Sequence, residues 1–166
     1  VFGLMYVIGY QNATSLADLA GKKVLSIGKA NTGEYLFKTL LTKAGVAFEG
    51  ENAVDISYYS DGSEAGQLLL AGKGDFALLG EPAATNFIAK AAQQGKTLYR
   101  VFDLQQLWKT ATESQDLGYP QASVVVKKEL LKDEDFVKAL YDTLCANEQF
   151  LQENVGRLKN ILVGAG

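Results

Sequence analysis

The chain has 166 residues, 48% of them hydrophobic, with a formal charge of −3 from 16 basic and 19 acidic side chains. That is enough apolar material for one buried core, and without a long basic run it leaves no electrostatic footprint for nucleic acid. With no histidine and one cysteine, it lacks the central residue of zinc-hydrolase and Ser-His-Asp chemistry and cannot form an internal disulfide.

In chain order, VFGLMYVIGY (1–10) is too short to cross a bilayer and has neither the basic start nor the small-residue cleavage site of a signal peptide, so it reads as a strand. The lack of an initiator methionine and the ending LVGAG suggest a segment of a longer protein. Ser15 stands three residues before Asp18, the spacing of a capping box, and predicts a short helix ending at Gly21. Lys23 to Ile27 is β-rich. Glu34 to Lys43 carries apolar residues at helical spacing and is closed by Ala44-Gly45.

The rhythm repeats. Val54 to Tyr59 alternates as a strand, in which one of Tyr58 and Tyr59 should face the core, and Glu64 to Ala71 is a predicted helix. Asp75 to Leu79 is a continuous apolar strand, Pro82 to Gln94 a helix ending at Gly95, and Thr97 to Phe102 another strand. Strands alternating with helices imply right-handed crossovers and a mostly parallel sheet covered on both faces, an α/β fold in three layers. Leu104 to Gly118 looks irregular and is expected to be a surface loop; Ala122 to Lys127 is expected to be a Val-rich strand. Asp133 to Leu162 then predicts one long or two short amphipathic helices interrupted by Gly156, with Cys145 as a core filler.

Ligands of open parallel sheets gather beyond the carboxyl ends of the strands, where loops enter helices. The first such loop is Gly28-Lys29-Ala30-Asn31-Thr32-Gly33, where free N–H groups and the helix dipole favour an anion and Thr32 is a candidate contact. A capped helix with no ligand fits the same residues. The spacing is not a Walker motif. The second loop is Ser60-Asp61-Gly62-Ser63, equally readable as a turn with a cap. The third is Gly80-Glu81-Pro82, where an acid beside a helix start gains from the dipole; with no paired carboxylate or histidine in view, Glu81 is no catalytic signature. Tyr119-Pro120-Gln121 joins these as a polar, aromatic segment.

Taken together, SLADLAGKKV (15–24), GKANTGEYLFKTLLTKAG (28–45), LLLAGKGDFALLGEPAATNF (68–87) and YPQASVVVKKELL (119–131) resemble, in order and spacing, the solute-binding proteins of ABC transporters, in the group that takes sulfonates, nitrate, taurine and thiamine precursors. The resemblance covers about residues 1 to 162 and implies one lobe of a two-lobed protein that closes on a solute. Residues 1–12 would be the outgoing crossover strand, 13–121 the α/β ligand-binding lobe, and 122–166 an antiparallel return strand and helical tail. The N-terminal lobe expected before residue 1 would be missing. On the same ground the site would comprise Lys29, Asn31, Thr32, Gly33, Ser60, Asp61, Ser63, Glu81, Tyr119 and Gln121.

The resemblance also implies an extracytoplasmic setting, periplasmic or lipid-anchored, a membrane permease as partner, and neither cofactor nor catalysis. Terminal surfaces without their usual cover predict self-association. Lys29 argues for an anion while Glu81 and Asp61 argue against a strongly charged one, leaving a small polar or anionic organic solute. Two alternatives are an enzyme resembling the thiamine-pyrimidine synthases, which lean on histidine, and the effector-binding domain of a transcription regulator, which would carry a helix-turn-helix upstream.

Overall fold

In the computed structural model, which describes residues 3–113, 115 and 118–156, five strands form one sheet: β1 Met5–Gly9, β2 Lys23–Ile27, β3 Asp55–Tyr59, β4 Phe76–Gly80 and β5 Tyr99–Asp103. Their spatial order is β3-β2-β4-β1-β5. β2 pairs in parallel with β3 and β4, whereas β1 lies antiparallel between β4 and β5. Four strands therefore run one way and the opening strand runs against them.

Helices α1 Thr32–Lys43, α2 Gly62–Leu70, α3 Ala83–Gln93 and α4 Leu104–Thr112 each follow one of the parallel strands. Side chains alternate across a strand, so continuous apolar strands feed two cores at once. Val7, Val24, Phe76 and Leu78 pack with Phe37, Leu40 and Leu41 of α1 and Leu104 of α4. Ile8, Leu25, Ala77 and Leu79 pack on the opposite face with Ala65 and Leu69 of α2 and Ala84, Phe87 and Ala91 of α3. The result is three layers, with each fully buried large side chain contributing about 1.5–3 kcal/mol of transfer free energy.

Several expectations change. Residues 104–112 are helix α4, not a loop: Asp103 caps it by accepting from the Gln105 and Gln106 N–H groups, and Leu104, Leu107, Trp108 and Ala111 face the core. Those positions follow the spacing of one helical face. Pro82 is the residue before α3 rather than in its first turn. Tyr59 packs against the second core, as expected for one of the tyrosine pair.

The chain divides into two compact units, Val1–Ser123 and Val124–Gly166. The predicted strand at 122–127 is absent: none of these residues joins the sheet, and Val124 and Val125 are exposed. Valine content favours extended backbone, but a strand exists only where a neighbour completes its ladder. The single antiparallel strand is β1 instead. In the second unit a short 3-10 turn precedes the helix α5 Glu134–Glu153, in which no residue is buried. Cys145 is exposed and not a core filler, on a helix whose Tyr141, Leu144, Phe150 and Leu151 are exposed as well. The expected continuation through Leu158 and Ile161 lies outside the described residues.

Candidate functional site

All four parallel strands end at one edge of the sheet, so the starts of α1 to α4 gather there by topology. A chain of contacts ties the expected loops together. The Gly28 N–H donates to the Tyr59 carbonyl at 3.2 Å, joining the first loop to the second, and the Glu81 N–H donates to the Leu4 carbonyl at 2.8 Å. The Leu4 N–H in turn donates to the Gln121 side-chain oxygen at 3.1 Å. A Cβ on Gly62 would stand 3.1 Å from Ala83 Cβ, so the second and third helix starts nearly touch.

Each start is closed by the chain's own side chains. Asn31 Oδ1 accepts from the Glu34 N–H at 3.1 Å. Glu34 reaches back so that its carboxylate accepts from the Ala30 N–H and pairs with Lys38 at 2.6 Å. Gly28, at φ 67°, must be glycine, since a Cβ there would fall 1.7 Å from Asn31 Nδ2. Asp61 Oδ1 accepts from the Ser63 and Glu64 N–H groups at 2.8 and 2.9 Å, while Ser60 Oγ donates to Glu64 at 3.0 Å and Ser63 Oγ accepts from Gln67 at 3.4 Å.

Glu81 is as fully engaged. Its carboxylate accepts from the Thr85 N–H at 3.2 Å and the Thr85 hydroxyl at 2.9 Å, and it pairs with Arg100, whose guanidinium lies 4.1 Å above the Tyr6 ring. Asp103 accepts from Gln105 and Gln106. Gln105, 5% exposed, clamps the last segment, donating to the Tyr119 carbonyl at 2.6 Å and accepting from the Tyr119 N–H at 2.9 Å.

Two titratable groups depart far from their ordinary values. The Lys38 ammonium, with the nearby Tyr58 hydroxyl and the Ala30 N–H adding to it, lowers Glu34 to about 2 against the opposing effect of burial. The Tyr58 hydroxyl is buried close to this pair, near enough to favour the ionised carboxylate, but no partner among the described residues meets hydrogen-bond geometry with it. Burial, reinforced by the Asp103 charge and then by Tyr6, pushes Tyr119 up to about 12, and its hydroxyl is likewise unpaired.

Of the expected residues, Thr32 and Tyr119 line one depression of about 230 Å³, with Tyr35, Leu36, Thr39, Trp108 and Pro120. The Trp108 and Tyr119 rings meet edge to face at 6.2 Å. Lys29 is exposed in the loop, and Gly33 is buried with Met5 Cε 3.0 Å from where its Cβ would stand. Ser60, Asp61, Ser63, Glu81 and Gln121 stand on the same edge outside that depression. Among the described residues of the first unit, two larger hollows lie elsewhere. One, of about 340 Å³ between α1 and α4, is mostly apolar; at the other, Tyr10 and Lys96 already donate to the Leu70 carbonyl.

Sequence reasoning missed Glu34, Lys38, Arg100 and Gln105. Asn31-x-x-Glu34 has capping-box spacing and was readable; Arg100 and Gln105 act across long separations that no local pattern reveals.

A family model described as NMT1/THI5 like matches residues 2–141. No curated protein matches the chain significantly. Among solved structures it is similar to the periplasmic aliphatic sulphonate binding protein SsuA from Escherichia coli, at TM-score 0.64 and 17% identity over 93% of this chain and 47% of that one. It is also similar to the alkanesulfonate-binding protein SsuA from Xanthomonas axonopodis pv. citri bound to MOPS, at TM-score 0.58 and 16% identity over 98% and 51%. The chain thus spans about half the length of these neighbours, and the likeness shows a periplasmic-binding-protein-like solute-binding fold. Among the described residues no helix is long and apolar enough to cross a membrane.

Proposed function

Because the chain belongs to the NMT1/THI5-like family, we propose that it is one lobe of the extracytoplasmic solute-binding component of an ABC importer, taking a small polar organic solute at the carboxyl edge of its sheet. Residues 1–12 serve as a crossover segment, 13–121 as the ligand-binding lobe and 122–166 as a tail, and a second lobe of similar size completes the cleft. The permease is the protein partner, and exposed terminal elements provide for self-association of this chain. The observation that carries the reading is the convergence of four helix starts and the Tyr119–Gln121 segment on one edge, tied through Leu4. Such an edge is where open α/β sheets hold ligands.

In this reading Thr32 and Tyr119 contact the solute, Lys29 and Gly33 border it, and Asn31, Ser60, Asp61, Ser63, Glu81 and Gln121 hold the loops that shape the edge. The family also includes enzymes, and the chain's lack of histidine weighs against that alternative. The test is a thermal-shift screen of the two-lobed protein against sulfonates, nitrate, neutral heterocycles and amines. A solute at a hundred times its Kd should stabilise by about 2.7 kcal/mol, with Thr32→Ala weakening the response. Turnover of the stabilising solute would favour the enzyme; no response from any class would remove the binding reading.

A further inference from the structure

Among the described residues, Gln105 is the only buried side-chain amide. Its own N–H is fixed by the Asp103 cap at 2.8 Å, and its amide pairs with both backbone groups of Tyr119, as a neighbouring strand would. The chain is shaped around that amide on two sides. A Cβ on Gly118, at φ 112°, would fall 1.9 Å from Gln105 Oε1, and one on Gly3 would stand 3.1 Å from Gln105 Cγ. Segments from opposite ends of the first unit, Val1–Ser123, therefore close on one side chain.

The same two segments meet again one step further out. Gln121 Oε1 accepts from the Leu4 N–H at 3.1 Å, and the Leu4 carbonyl accepts from the Glu81 N–H at 2.8 Å. A line of contacts thus runs from the depression, where Tyr119 stands with Thr32, through Gln121 and Leu4 to the third loop. Residues 3–4 and 118–121 belong to none of the helices or strands, and segments outside such elements open most readily.

We propose that Gln105 is the positioning residue that makes Gly3–Leu4, Gly118–Gln121 and the Glu81 loop one cooperative unit, so that a solute held at Thr32 and Tyr119 steadies the Glu81 loop without touching it. Its importance to function rests on the solute-binding reading, but its test needs no solute. Hydrogen exchange of the full chain is followed by NMR at the Tyr119, Leu4 and Glu81 amides, with the amides of the inner strand β2 as the measure of global opening. Gln105→Met keeps the length of the side chain and removes both of its hydrogen bonds. It should speed exchange at all three amides by about tenfold or more while those of β2 keep their rates. Gln121→Ala, at a side chain that is only partly buried, works from the other end: it removes the Leu4 contact and should speed exchange at Tyr119 as well as at Leu4 and Glu81.

Faster exchange at Tyr119 alone in Gln105→Met, or at Leu4 alone in Gln121→Ala, would overturn the proposal, because the contacts would then open independently. An equal gain at the β2 amides would also overturn it, since Gln105 would then serve global stability only. Should Gln105→Met fail to fold, the Gln121→Ala result decides. Failure of the solute screen beside coupled exchange would remove the binding reading and leave the cooperative unit standing; independent exchange beside a successful screen would do the reverse.

Discussion

At the scale of single residues, the carboxylates of the loop edge are spoken for by the protein. Glu34 is held at about 2 against an ordinary 4.5, first by Lys38. Because the folded chain keeps it ionised where the unfolded chain takes up a proton, its stabilisation is complete above pH 4.5 and is lost as pH falls toward 2. Urea midpoints across this window should fall more steeply for the unaltered chain than for Glu34→Gln; parallel curves would show that Lys38 does not hold Glu34 in solution. For Glu81, a partly exposed ion pair and one helix cap together predict a cost of about 1 kcal/mol for Glu81→Ala. An unchanged urea midpoint would mean the Arg100 pair contributes nothing. The dipole argument for an acid before α3 was legible in the sequence. Arg100 was not, because it arrives from β5, on the far side of β1, 19 residues later.

At the scale of elements, β2 falls on the residues its β-rich run indicated, and the alternation of Val24 with Leu25 shows why: both faces of the sheet are covered. Residues 104–112 of the expected loop were misread because their polar residues mask a sound helical face, and only the packing of Leu104 and Leu107 on the sheet makes that face visible. The reverse error at 122–127 came from treating valines as sufficient for a strand. Helix α4 also positions the candidate site, since Gln105 holds both backbone groups of Tyr119. Gln105→Ala should leave a buried N–H and carbonyl unpaired and cost about 2 kcal/mol or more by chemical denaturation. A cost below about 0.5 kcal/mol would show that water replaces the clamp.

At the scale of the whole molecule, the three-layer sheet was legible because helix and strand periodicities alternate along the chain, whereas the pairing of the edge's charges was not, since Glu81 meets Arg100 only in the folded chain. The second unit presents Tyr141, Leu144, Phe150 and Leu151 to solvent along α5, an apolar stripe of the kind that marks interaction surfaces. Sedimentation equilibrium at rising concentration should show mass above the monomer, and Tyr141→Glu with Leu144→Glu should restore the monomer; a monomer throughout would contradict self-association. The central claim is that the carboxyl edge of the sheet receives the solute. Its most direct test is amide chemical-shift mapping on this chain with whichever solute most raises the melting temperature. The account predicts that the shifts cluster at residues 28–34, 60–63, 81–85 and 119–121. Shifts centred instead on the Tyr10–Lys96 hollow or the groove between α1 and α4, with the edge unmoved, would contradict it.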